Sequence, residues 1–317
     1  MKDLLRVADL SRGDLEHLLA VSEQVRAQPH AYARLLEGET VVTYFAKPST
    51  RTRLSFGTAI TRLGGVPEVV GPNELQLGRG ETIEDTAAVI SRYARAFVIR
   101  TFSDAAVARF AATATIPVVN ALTDLHHPCQ ALADLLTMKQ RFGELTGLRV
   151  AYLGDGNNVA HSLMEACALA GVDLVVATPP GYEPNPDVVA GAERVAAESG
   201  AVVITTHDPL AAAAGADVVY TDVWVSMGDS EDERAARTAA LRPYQVNAAV
   251  MGGASSRAIF MHCLPAHRGE EVTWNVIDGP RSVVFDQAEN RMHTAQALLV
   301  ALVLRELHGA AVTVGAG

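Results

Sequence analysis

Short apolar runs rich in β-branched residues alternate with stretches of helical periodicity along this chain, in two successive sets. In the first, strand-like runs at 41–45, 66–70, 96–101 and 117–122 alternate with helical patterns at about 52–63, 82–94, 104–114 and 129–142. In the second, strand-like runs at 148–154, 172–178, 201–206, 217–223, 258–264 and 282–285 are separated by alanine-rich helical stretches. Such alternation calls for parallel sheets with helices outside, so the expected fold is α/β with two domains, each a parallel sheet flanked by helices. A length of 317 residues suffices for two cores. The 129–142 helix is the natural connector, "AENRMHTAQALLVALVLREL" reads as one long amphipathic helix, and the acidic, polar stretch 226–237 is expected to be a mobile loop.

Ligands of open parallel sheets bind beyond the carboxyl ends of the strands, so the residues just after each strand are the informative ones. Here they are polar. The first strand leads through Pro48 into Ser49-Thr50-Arg51-Thr52-Arg53, where Ser49 is a good N-cap for the next helix. The third ends at Arg100, and the fourth leads to His126-His127-Pro128-Cys129-Gln130. The second set offers Gly154-Asp155-Gly156-Asn157-Asn158, then Asp222 to Gly228, then His262 to Arg268. A strand, a tight loop and a helix start with hydroxyls and guanidiniums form an anion site, although a capped surface helix with exposed arginines has the same local pattern. Lys+Arg 26 against Asp+Glu 36 gives a net charge of -10, which argues against broad nucleic-acid binding, so an anion site must be built locally.

Three scattered cysteines, Cys129, Cys167 and Cys263, fit a reducing cytoplasm better than a disulfide framework. The opening residues lack a signal-peptide core and "ALLVALVL" is too short to span a bilayer, so a soluble chain without membrane association is expected. "GDGNNVA" invites a dinucleotide reading, but Val159 replaces the third glycine and Thr178-Pro179 replaces the acidic residue that would hold a ribose. The histidines and cysteines lack paired metal-ligand spacing, so neither a metal nor a cofactor is expected. Cys263 reads as a buried structural thiol more readily than as a nucleophile, Cys129 is ambiguous, and Cys167 belongs to a core helix face.

Four motifs in this order, "STRTR" (49–53), "HPCQ" (127–130), "DVWVSMG" (222–228) and "HCLPAHRGEEV" (262–272), give the chain its resemblance to the carbamoyltransferases, and within them to the ornithine carbamoyltransferases. The resemblance spans nearly the whole chain. It implies a carbamoyl phosphate domain at 1–134, an ornithine domain at 135–291 and a C-terminal helix at 292–317 returning to the first domain, assembled as a homotrimer or multiple of trimers. By resemblance Ser49, Thr50, Arg51 and Thr52 hold the phosphate of carbamoyl phosphate, and Arg100, His127 and Gln130 address its carbamoyl group. Asn158, Asp222, Ser226 and Met227 meet L-ornithine, while Cys263, Leu264 and Arg291 complete the site. Gln76 matches a loop that reaches the neighbouring subunit's site. Asp222 and Arg291 are read at element ends, where charged side chains often face water. The chain departs from the family at Gly57, where a glutamate is common.

The implied reaction carries the carbamoyl group to the δ-amine of ornithine, giving citrulline and phosphate, as in arginine metabolism. Thr52, Arg100 and His127 are the donors expected at the carbonyl oxygen, with Gln130, Asp222 and Cys263 completing the catalytic set. Aspartate, putrescine or an acylated ornithine are alternative acceptors, and a non-catalytic subunit of the same fold is the alternative from another class.

Overall fold

The computed structural model describes residues 1–75, 80–225 and 231–309. The chain forms two compact units, Met1–Ala133 with Glu289–Gly317, and Asp134–Ala288. In the first unit, β1 (Thr40–Phe45), β2 (Val66–Val70), β3 (Ala96–Arg100) and β4 (Val118–Leu122) form a parallel sheet in the order β2-β1-β3-β4. The interiors of β1, β3 and β4 are buried, as expected of strands covered on both faces. β2 contains Pro67, which cannot donate to a ladder and is tolerated because the strand lies at the sheet edge.

In the second unit β5 (Arg149–Leu153), β6 (Asp173–Ala177), β7 (Val203–Thr206), β8 (Val218–Thr221) and β9 (Ile259–His262) form a second parallel sheet, ordered β7-β6-β5-β8-β9. The helix Pro128–Phe142 carries the chain from the first unit into the second, and Val284–Leu304 brings it back. Gln296 Nε2 donates to Pro29 O at 3.0 Å and Arg95 to Val303 O at 3.4 Å, which fasten the last helix within the first unit.

Three sequence readings are corrected. Residues 282–285 are not a sixth strand: the chain makes one bridge from Ser282 to Phe260 and turns into the helix at Val284. Two valines and a phenylalanine after Ser282 suit a buried helix start as well as a strand. The final helix is buried around its whole circumference from 293 to 303 rather than amphipathic, which places it inside the core. Of the expected loop 226–237, residues 226–230 lie outside the described residues and Glu231–Leu241 is a helix, in keeping with the helix propensity of its four alanines. Among the described residues no helix is long and apolar enough to cross a membrane.

Candidate active site

Each sheet reverses its strand order once, and that switch point is where an open α/β sheet leaves a crevice at its carboxyl edge. In the first sheet the reversal lies between β1 and β3, whose last residues Phe45 and Arg100 are paired. The helix Thr50–Arg62 begins just beyond β1, with Ser49 as N-cap accepting from Thr52 N at 3.3 Å. The N–H groups of its first turn and its dipole favour an anion there. Thr52 is fully buried, and its Oγ1 accepts from Arg291 Nη2 at 2.8 Å, while Arg291 Nη1 donates to Gln130 Oε1 at 3.0 Å. One guanidinium thus fixes the start of the 50–62 helix to the first turn of the 128–142 helix.

Arg291 lies inside the last helix and is buried, not at an element end facing water. Beside it, burial pushes the buried imidazole of His127 well below the usual histidine range, and the guanidiniums of Arg291, Arg100 and Arg51 push the same way. His127 is therefore a neutral hydrogen-bonding group in a cationic surrounding. The thiol of Cys129 is pushed up to about 12 by burial and donates to Asn120 O at 3.4 Å, so it is a packed thiol and not a nucleophile. Cys167 is fully buried and its pKa is raised by burial in the same way.

The second sheet reverses between β5 and β8, and the loops following those two strands meet through side chains. Asp222, buried after β8, accepts from Asn157 Nδ2, Val223 N and Cys263 Sγ, each at 2.8 Å. Asn157 caps the helix Asn158–Ala170 by accepting from Val159 N at 3.0 Å and Ala160 N at 3.2 Å, and the Tyr152 hydroxyl donates to the same oxygen at 3.3 Å. Asn158, the first residue of that helix, and Cys263 are half-buried beside this network. A Cβ on Gly156 would lie 2.3 Å from Pro184 N, so this glycine serves close packing against the 183–184 segment instead of a pyrophosphate turn.

The first unit thus gathers Thr52, His127, Gln130 and Arg291, with Arg51 and Arg100 near enough to bias His127, and Ser49 and Thr50 at the adjoining helix start. The second gathers Asn158, Asp222, Cys263 and Leu264. Gln76, Ser226 and Met227 lie outside the described residues. Sequence reasoning passed over three residues. Asn157 was hidden behind Asn158 although an Asn before a helix start is a cap signal. Arg237 donates to Trp224 O and Asp155, and Glu271 meets His262 at 3.2 Å; Arg237 has no local signature, and Glu271 stood inside the 262–272 motif without being given a role of its own. Among the described residues two clusters bring three metal-capable groups within 4.8 Å: Asp222 with His262 and Cys263, and His267 with Glu270 and Glu271. In the first, Asp222 and both ring nitrogens of His262 are already engaged in hydrogen bonds.

Residues 2–140 match the family model described as aspartate/ornithine carbamoyltransferase, carbamoyl-P binding domain, and residues 146–302 match the Asp/Orn binding domain of the same family. An ornithine carbamoyltransferase of Parafrankia sp. (strain EAN1pec) is 55% identical over 294 residues, 92% of either chain. That of Bacillus subtilis is 50% identical over 307 residues, 96% of this chain and 94% of the relative. The solved ornithine carbamoyltransferase of Pyrococcus furiosus superposes with a TM-score of 0.92 at 48% identity, covering 97% of this chain and 98% of that one. With both family domains matched in order and likenesses of this degree along almost its whole length, the chain belongs to the aspartate/ornithine carbamoyltransferase family.

Proposed function

We infer that the chain transfers the carbamoyl group of carbamoyl phosphate to the δ-amino group of L-ornithine, giving L-citrulline and phosphate. The observation that carries this reading is a division of charge: guanidiniums and a helix N-terminus at the first sheet's switch point, a buried carboxylate at the second's. The first suits a phosphorylated donor, and the second suits an ammonium-bearing amino acid better than a dicarboxylate.

Carbamoyl phosphate belongs to the unit of residues 1–133 and 289–317. Ser49, Thr50, Arg51 and Thr52 take its phosphate, and Arg100, neutral His127 and Gln130 take its carbamoyl group, with Arg291 holding Thr52 and Gln130 in place. Ornithine belongs to residues 134–288, with Asn158, Asp222, Ser226 and Met227 on its α-amino and carboxylate groups. Cys263 and Leu264 complete the donor's contacts. The neutral δ-amine attacks the carbonyl carbon, the carbon–oxygen bond to phosphate breaks, and the leaving phosphate takes the amine's proton. Charge building on the carbonyl oxygen meets Thr52, Arg100 and His127, and loss of one such donor costs about 10²–10³ in rate. The same reading assigns the enzyme to arginine biosynthesis in the cytoplasm, as a homotrimer in which Gln76 serves the adjoining subunit. Incubation of the purified protein with carbamoyl phosphate and ornithine tests it: citrulline and phosphate must appear in equal amounts, and phosphate without citrulline overturns it.

A further inference from the structure

β9 ends at His262, and the next two residues are Cys263 and Leu264, the turn assigned above to the donor. His262 is fully buried, and its backbone N–H and both ring nitrogens have partners. Its N–H donates to Gln287 Oε1 at 2.9 Å. Its Nε2 lies 3.2 Å from Oε1 of Glu271, which is also fully buried and accepts from His267 N. Its Nδ1 lies 2.8 Å from Leu264 N. A backbone N–H can only donate, so Nδ1 must be the acceptor and the ring proton sits on Nε2, directed at the Glu271 carboxylate. Leu264 has a φ of 56, a left-handed conformation that a γ-branched residue adopts only when its surroundings hold it there.

We propose that His262 is a positioning residue for carbamoyl transfer: its Nδ1 holds the Leu264 N–H and so fixes the Cys263-Leu264 turn, while Glu271 fixes the ring and its tautomer. This rests on the assignment of that turn to substrate. The bond spans from side chain i to backbone N–H i+2, as in an Asx turn, so the oxygen of an asparagine side chain can replace Nδ1. Glutamine instead places an N–H near Nε2, keeping the link to Glu271 and losing the acceptor for Leu264. Cys263 Sγ also donates to Asp222, so a displaced turn disturbs the acceptor network as well.

The two variants separate positioning from packing. His262→Gln is expected to lose about 10²-fold in kcat/KM for carbamoyl phosphate, the scale of a misplaced reactive geometry. His262→Asn should recover at least about tenfold of that loss, even where the two have equal melting temperatures. Activity that follows melting temperature across both variants, or His262→Gln equal to wild type, overturns the proposal. Should His262→Gln not fold, the ¹⁵N-histidine spectrum of the wild-type protein decides: the Nε2–H tautomer for His262 is required, and the Nδ1–H tautomer refutes the assignment. Absence of citrulline from the wild-type enzyme would instead refute the function itself, so the two failures are distinguishable.

Discussion

His127 shows how its neighbours set what a side chain can do. With burial first and three guanidiniums second holding its pKa well below 6.5, the fold favours the neutral ring. Below about pH 6.5 the unfolded chain takes up a proton that the fold refuses, so this residue's share of stability is present above that value and lost as pH falls below it. Melting temperature measured from about pH 8 to 5 should therefore fall less steeply in His127→Gln than in wild type; parallel curves would show that the ring is not held neutral. For the same reason kcat/KM for ornithine should show no inflection near 6.5. It should rise toward alkaline pH, because an amine of pKa about 10.4 is neutral in only around one molecule in 10³ at pH 7. Arg51→Ala should weaken carbamoyl phosphate binding about 10- to 10²-fold by calorimetry, the worth of a charge-assisted hydrogen bond, with an unchanged circular-dichroism spectrum. Residues beside strand ends were legible because the fold class points to them, as with Ser49, Thr52, Arg100 and Asp222. That Arg291 is buried and holds Thr52, and that Glu271 orients His262, were not, since Arg291 meets Thr52 across 239 residues of chain and Glu271 reaches back to the end of β9 from the loop that follows it.

The helix Thr50–Arg62 carries at its start the residues proposed to hold phosphate, and Gly57 in its interior. A Cβ at Gly57 would meet no atom within 4 Å. Gly57→Ala should therefore stabilise the protein by roughly 1 kcal/mol, through backbone entropy and helix propensity. A rise of about 2 °C in melting temperature with kcat/KM unchanged is the expected result, and a fall would mean that the position is constrained by something its own chain does not show. The buried strands were read correctly because parallel strands covered on both faces leave continuous apolar runs, as in β1, β3 and β5. Residues 231–241 and 282–285 misled for opposite reasons. In the first, charged residues around the alanines masked good helix formers; in the second, two valines and a phenylalanine fit either structure.

At the scale of the whole molecule the double run of strand and helix announced two sheets, and four motifs in order announced the family. Sequence could not give the strand orders, and these locate both switch points and explain why the polar loops lie where they do. The proposed homotrimer with shared sites predicts complementation. Arg51→Ala and Gln76→Ala proteins, unfolded together and reassembled in equal amounts, should regain activity in about a quarter of their sites, since each of two independent choices around a closed ring succeeds half the time. Recovery no greater than the sum of the separate mutants, in mixtures shown to contain hybrids, would mean that each site is built from one chain. The proposed reaction stands or falls on its acceptor, which is read directly from kcat/KM for carbamoyl transfer to ornithine, acetylornithine, putrescine and aspartate under one set of conditions. Ornithine should exceed each of the others by at least about 10²-fold, as expected when a site loses a polar group it was built to bind; a clear preference for any other amine would contradict the account.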